Sequence, residues 1–156
     1  MTAIRGVRTA AWALTAATGV TLLSPTTAQA ASGQSALQRT VIALVNAQRT
    51  LAGCSALSQK ANLDHSAVAH AAEMSTMDYF SHSSYDGTTW YNRIKSFGVK
   101  YPGGENIAAG FFSATTVMTA WMNSPGHRAN ILDCQFKSIG VGQAANGGYW
   151  VEDFSY

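Results

Sequence analysis

Residues 138–156 carry the pattern that restricts the fold most. Two apolar stretches, residues 139–142 and 149–154, flank an Asn-Gly-Gly turn at residues 146–148, which predicts a β-hairpin. Gly140 and Gly142 alternate in the first strand, so one face of that strand has no side chains. A bare face of this kind allows either another element of the chain or a ligand to approach the backbone closely.

Helical patterns precede the hairpin. Apolar residues recur at helical spacing over residues 37–51 and about 58–77. A third helix is predicted from a cap at Thr88 or Thr89 to Gly98. A fourth is predicted over residues 113–123, and a fifth begins at Ser124. Residues 105–110 lie between glycines and are predicted to be extended. This order of elements favours an α+β layered domain over a doubly wound parallel sheet.

Residues 1–30 are predicted to be a secretory signal peptide. Arg5 and Arg8 precede an apolar run from Ala10 to Leu23, and a small-residue site follows at residues 28–30. The run is short for a bilayer span, so a retained anchor is the weaker alternative and no membrane span is expected after cleavage. The predicted organisation is therefore a signal peptide at 1–30, a short polar lead-in at 31–36 and one folded domain at 37–156.

The charge pattern gives no indication of nucleic-acid binding. The chain has ten Lys and Arg residues and eight Asp and Glu residues. Two of the ten basic residues, Arg5 and Arg8, fall in the predicted signal peptide. Without a basic run, the sequence has no source of phosphate neutralisation. Only 12% of the residues are charged, which favours a compact extracellular domain over a disordered linker.

Cys54 and Cys134 are the two cysteines of the chain. In an exported protein this even number predicts a disulfide bond, which would join the two ends of the domain. Closing a loop of this length contributes on the order of 4 to 5 kcal/mol in the chain-entropy description. The compartment and the even number disfavour the alternative of a free catalytic thiol.

The segment Ser124-Pro125-Gly126-His127 is predicted to begin a helix. Ser124 is a favourable N-cap residue, and Pro125 fits the first helical position, where a missing N–H costs nothing. His127 is then the third helical residue. The positive end of the helix disfavours its imidazolium form, so we expect a neutral ring that accepts a hydrogen bond or binds a metal.

Few residues remain as candidates for chemistry. The sequence has no G-x-S-x-G, H-E-x-x-H, paired C-x-x-C or P-loop motif. His82 on a predicted loop, Glu105 between glycine and asparagine, and His127 form a set that can ligate zinc with an open position. Alternatively, Glu105 stabilises an irregular loop by accepting hydrogen bonds from backbone amides. Asn106 and Asn130 are then structural residues of turns and loops.

Several motifs together resemble the CAP superfamily of cysteine-rich secretory, antigen 5 and pathogenesis-related 1 proteins, in its secreted bacterial SCP-domain branch. The stretches that carry the resemblance are Phe80-Ser81-His82, Gly104-Glu105-Asn106-Ile107-Ala108, the run from Trp121 to Leu132, and Gly140-Val141-Gly142 with Tyr149-Trp150-Val151. The resemblance implies a three-layer α-β-α sandwich with a small central antiparallel sheet. It also implies a large cleft, which Ser124 and Asn106 would line.

The resemblance further implies that two histidines and two acidic residues surround the cleft. His82, His127 and Glu105 match three of these positions, while Ser124 stands where many relatives have the second acid. The tetrad is therefore incomplete, as is usual in the bacterial branch.

These observations favour a secreted binding protein over an enzyme. The expected ligand is a lipid, a peptide or a cell-envelope glycan, bound by a monomer with or without a divalent cation, for which zinc is the first choice. No organic cofactor is expected. The alternative is a metal-assisted hydrolase in which Glu105 acts as base, and a purely structural or immune-interaction role is the third possibility.

Overall fold

The computed structural model describes residues 35–156. The predicted signal peptide, and the lead-in up to residue 34, lie outside the described residues. The helices are α1 (Ala36–Leu51), α2 (Ala61–Met77), α3 (Trp90–Ser96), α4 (Ala114–Asn123) and α5 (Pro125–Ile131). The strands are β1 (Ser58–Gln59), β2 (Pro102–Ala108), β3 (Ser138–Ala144) and β4 (Tyr149–Ser155). None of the helices in this part of the chain is long and apolar enough to cross a membrane.

The strands form one sheet in the order β1-β3-β4-β2. β3 and β4 form the predicted hairpin, and β2 pairs with β4, both antiparallel. β1 adds a short parallel pair, because the N–H groups of Ser58 and Lys60 donate to the carbonyls of Lys137 and Ile139 at 2.9 and 3.0 Å. The predicted second helix consequently begins at Ala61 rather than near Ser58.

Helices cover both faces of the sheet, which confirms the α+β sandwich. On one face α1, α4 and α5 pack with Ile139, Val141, Trp150 and Phe154 in the larger apolar core. On the other face α2 packs against Ile107 and Val151, and Ile94 of α3 joins Leu63 in a smaller cluster. Both faces of the central strands are therefore buried.

The bare face of β3 is covered by α2. A Cβ atom added at Gly140 would lie 2.1 Å from the carbonyl carbon of Leu63, and one added at Gly142 would lie 2.2 Å from that of Ala67. The sequence allowed either another element of the chain or a ligand on this face. The structure shows that it is another element of the chain, α2.

The end of α1 is joined to the segment that follows α5 by two kinds of bond. The Cys54–Cys134 disulfide is present, with the two Cα atoms 5.0 Å apart. The buried guanidinium of Arg49 donates to the carbonyls of Ile131 and Asp133, each at 2.8 Å. These contacts fix the carboxyl-terminal end of α5, the helix that carries His127.

We expect Gly142→Ala to destabilise the protein by about 3 kcal/mol, because the added methyl group would force α2 away from β3. Gly126→Ala is the matched control, since no atom lies within 4 Å of a Cβ at that position and the change should alter stability by less than about 1 kcal/mol. Urea denaturation followed by circular dichroism measures both. Equal midpoints for the two variants would contradict the close approach of α2.

Candidate functional site

Two cavities adjoin β2, which is an edge strand of the sheet. The first, which we call the apolar cleft, has a volume of about 510 Å³; its lining residues are Phe80, Ile107, Ala108, Ala109, Phe111, Ala120, Trp121, Ser124 and His127. The second, the polar pocket, has a volume of about 300 Å³; its lining residues are His82, Trp90, Gly103, Gly104, Glu105 and Asn130. The two candidate histidines thus belong to neighbouring cavities.

Glu105 is the buried centre of the site, with 1% of its side chain exposed. One carboxylate oxygen accepts a hydrogen bond from His82 Nδ1 at 2.8 Å, and the other contacts the Arg93 guanidinium. Arg93 also donates to the His82 carbonyl at 3.1 Å. This pairing satisfies a charge that would otherwise be costly to bury.

His82 is held in one orientation. Its Nδ1 atom is bonded to Glu105, so Nε2 is the ring nitrogen left without a partner among the described residues, and half of the side chain is exposed. The preceding residue is fixed as well, because Nε2 of the buried His70 donates to the Ser81 carbonyl at 2.8 Å. Sequence reasoning assigned His70 only to packing or to the surface, and the structure gives it this positioning role.

His127 lies in the first turn of α5, as predicted, and is half-buried. Burial lowers the pKa of its imidazole, and the neighbouring His82 lowers it further, so the ring is neutral at pH 7. Ser124 precedes the helix, but its side chain makes no capping hydrogen bond and instead lines the apolar cleft beside His127. The expected side-chain cap of this helix is therefore absent.

Two asparagines attach α5 to β2. Asn106 Nδ2 donates to the His127 carbonyl at 3.2 Å and to Glu152 Oε2 at 3.0 Å. Asn130 Nδ2 donates to Asn106 Oδ1 at 2.9 Å and to the Glu105 carbonyl at 3.2 Å. Asn106 is fully buried and lines neither cavity. It contacts the site through the backbone of His127 and the side chain of Asn130.

Two buried acids of β4 complete the surroundings of the site, and sequence reasoning missed both. Burial raises the pKa of Glu152 to about 8. It also raises the pKa of Asp153, which the neighbouring Glu105 raises further. The sequence did indicate that both acids are buried. Adjacent residues of a strand point to opposite faces, and in a three-layer sandwich both faces are covered.

The described residues 35–156 contain no group of three or more His, Cys, Asp or Glu side chains arranged to hold a metal ion. The structure brings His82 and Glu105 into contact, and it places His127 close enough to His82 for an electrostatic effect.

We expect Glu152→Gln to stabilise the protein above about pH 6. The folded-state pKa of Glu152 is raised, so the wild type loses stability as the pH rises from the unfolded value near 4.5 to about 8. The neutral amide avoids this loss, which is on the order of 3 kcal/mol at pH 8 after allowing for relaxation around the buried group. Urea denaturation of both proteins at pH 5 and pH 8 measures the difference, and parallel pH profiles would overturn the assignment.

Comparisons with known proteins agree with this fold. The cysteine-rich secretory protein (CAP) family matches residues 42–154. The protein YkwD of Bacillus subtilis is 41% identical over 130 residues, which cover 83% of this chain and 51% of YkwD. The chain thus spans about half the length of that relative.

Solved structures show the same architecture. An extracellular protein from Bacillus anthracis that contains an SCP domain superposes with a TM-score of 0.71 at 29% identity, over 76% of this chain and 39% of that one. An outer surface protein from Borrelia burgdorferi gives a TM-score of 0.68 at 21% identity, over 75% of this chain and 90% of that one. The motifs around His82, Glu105 and His127, the sandwich and the match over residues 42–154 together establish that this chain belongs to the CAP, or cysteine-rich secretory protein, family.

Proposed function

We propose that the protein is a secreted binding protein whose apolar cleft takes the hydrocarbon part of an amphipathic lipid. The observation that carries this proposal is the cleft of about 510 Å³ beside β2, whose lining is apolar apart from Ser124 and His127. Secretion is supported by the predicted signal peptide and by similarity to an extracellular and an outer surface protein.

The wall of the cleft suits an apolar chain. Phe80 and Phe111 offer aromatic surface, and Ala108, Ala109 and Ala120 leave space between them. The indole N–H of Trp121 is already donated to the Ile107 carbonyl at 3.2 Å, so Trp121 presents only hydrocarbon to a ligand. Burying apolar ligand surface here contributes about 25 cal/mol per Å².

The polar end of the cleft suits a headgroup. Ser124 has a free hydroxyl, and His127 has a neutral imidazole without a side-chain hydrogen bond in the described part of the chain. An extended peptide fits less well, because strand addition to β2 needs backbone groups at its free edge. The carbonyls of Glu105 and Ile107 are already bonded by Asn130 and Trp121.

We extend the proposal to a divalent cation held by His82 and His127. Nε2 of His82 has no partner among the described residues, burial lowers the pKa of His127, and Glu105 orients His82 through Nδ1, as carboxylates do for metal-binding histidines. Two donors are one fewer than the three protein ligands of catalytic zinc sites, so the affinity should be low. A bound cation would supply a charge for an anionic headgroup.

The hydrolase alternative requires Glu105 to act as a base. Both of its oxygens are engaged, by His82 and by Arg93, and the side chain is buried. This arrangement favours an orienting role for Glu105 over proton abstraction from a cleft water.

We expect Ala120→Phe to weaken the binding of dodecanoate by about tenfold or more, because the new ring would fill the apolar cleft. Ala129→Phe is the matched control, since Ala129 is an exposed residue of α5 outside the cleft. Isothermal titration calorimetry of the wild type and both variants measures the affinities. Undiminished binding by Ala120→Phe, or no binding by the wild type, would refute the lipid proposal.

Zinc titration tests the cation separately. We expect measurable heat with the wild type and none with the His82→Ala, His127→Ala double variant, because both imidazole donors are removed. His65→Ala serves as the control, because His65 is exposed on α2 and lines neither cavity. If the double variant gave the same heat as the wild type, the cation proposal would be abandoned.

A further inference from the structure

The polar pocket differs in chemistry from the apolar cleft and is separate from the proposed lipid site. Three of its lining side chains keep hydrogen-bonding atoms that have no partner among the described residues. Asn130 uses its Nδ2 atom toward Glu105 and Asn106, which leaves Oδ1 as a free acceptor. His82 uses Nδ1 toward Glu105, which leaves Nε2. The indole N–H of Trp90 donates to no group in residues 35–156 and is a free donor.

The pocket also has an aromatic wall. Trp90 is half-buried; it packs against the cluster of Leu63, Ile94 and Val99 while it lines the pocket. Its ring is therefore held rigidly at the edge of an open cavity. A rigid indole beside free donors and acceptors provides both an apolar surface and hydrogen bonds for one ligand.

Gly103 and Gly104 of β2 also line the pocket. A Cβ atom at Gly103 would lie 2.4 Å from the Phe136 ring, so the absence of a side chain there makes room for Phe136. A Cβ atom at Gly104 would lie 3.3 Å from Asn130 Oδ1 and 3.4 Å from the Phe136 ring. A side chain at this position would press on the free acceptor. The glycine therefore keeps Asn130 Oδ1 accessible to the pocket.

The charge balance selects a neutral ligand. The carboxylate that lines the pocket, Glu105, is buried, paired with the Arg93 guanidinium and hydrogen-bonded to His82. No other charged side chain is among the lining residues. A ligand with several hydroxyl groups and a ring with an apolar face would use the indole surface, its N–H donor, the amide oxygen of Asn130 and the outward ring nitrogen of His82 together.

We propose that the polar pocket is a binding site for one pyranose ring of a neutral sugar. The ring packs its apolar face on Trp90, and its hydroxyl groups bond to Trp90 Nε1, Asn130 Oδ1 and His82 Nε2.

The test uses methyl β-glucopyranoside and methyl N-acetyl-β-glucosaminide as probes, with glycerol as a polyol that has no ring face. A chelator is present throughout, so the result does not depend on a bound cation. Two-dimensional ¹H–¹⁵N NMR follows the Trp90 indole signal, and saturation-transfer NMR measures affinity. We expect a saturable shift of this signal with at least one glycoside and none with glycerol.

Variants locate the site. Trp90→Phe removes the indole N–H and part of the ring, and should weaken glycoside binding by about tenfold. Tyr91→Phe, at the neighbouring aromatic residue outside the pocket, should leave binding unchanged. Gly104→Ala keeps Trp90 intact and covers Asn130 Oδ1, so it should also weaken binding, which keeps the test decisive if Trp90→Phe does not fold.

The proposal is overturned if neither glycoside shifts the Trp90 signal, or if Gly104→Ala binds the sugar as tightly as the wild type. Shifts confined to Phe111 and Ile107 would place the sugar in the apolar cleft and overturn it as well. Failure of dodecanoate to bind would refute the lipid proposal and leave the sugar proposal unaffected, because dodecanoate reports on the apolar cleft alone.

Discussion

The buried ion pair of Glu105 is the interaction on which the candidate site depends. Its carboxylate joins His82, on the loop after α2, to Arg93 of α3. Its backbone carbonyl accepts a hydrogen bond from Asn130 of α5. One residue of an edge strand thus fixes three separate segments. Removing Glu105 or Arg93 would leave the charge of the other one buried without its partner in the ion pair.

Much of the fold was predictable because its signals are local. Thr89 and Ser113 cap α3 and α4 through side-chain hydrogen bonds, and the Asn146-Gly147 turn marks the hairpin with Gly147 at a positive φ. β1 was not predictable. Its two exposed residues have no periodicity, and they are defined as a strand only by pairing with residues 138 and 139, about eighty positions away.

The site was predictable in part. The histidines and Glu105 stand in recognisable motifs, but the motifs do not show what surrounds them. Arg93 reads in the sequence as an ordinary basic residue of a helix, and its role follows from the packing of α3 beside β2. The capping bond expected of Ser124 is absent, because residue type makes a side-chain cap favourable but does not guarantee it.

The hydrogen bonds that build the site also hinder the pairing of a further strand with the edge of the sheet. An edge strand normally offers unpaired backbone groups to any other extended chain, which is how native sheets begin to aggregate. Here one edge strand, β1, is only two residues long. At the other edge, the carbonyls of Glu105 and Ile107 are already covered by the side chains of Asn130 and Trp121. A protein that keeps its cleft open beside an edge strand thereby remains resistant to strand exchange with its own copies.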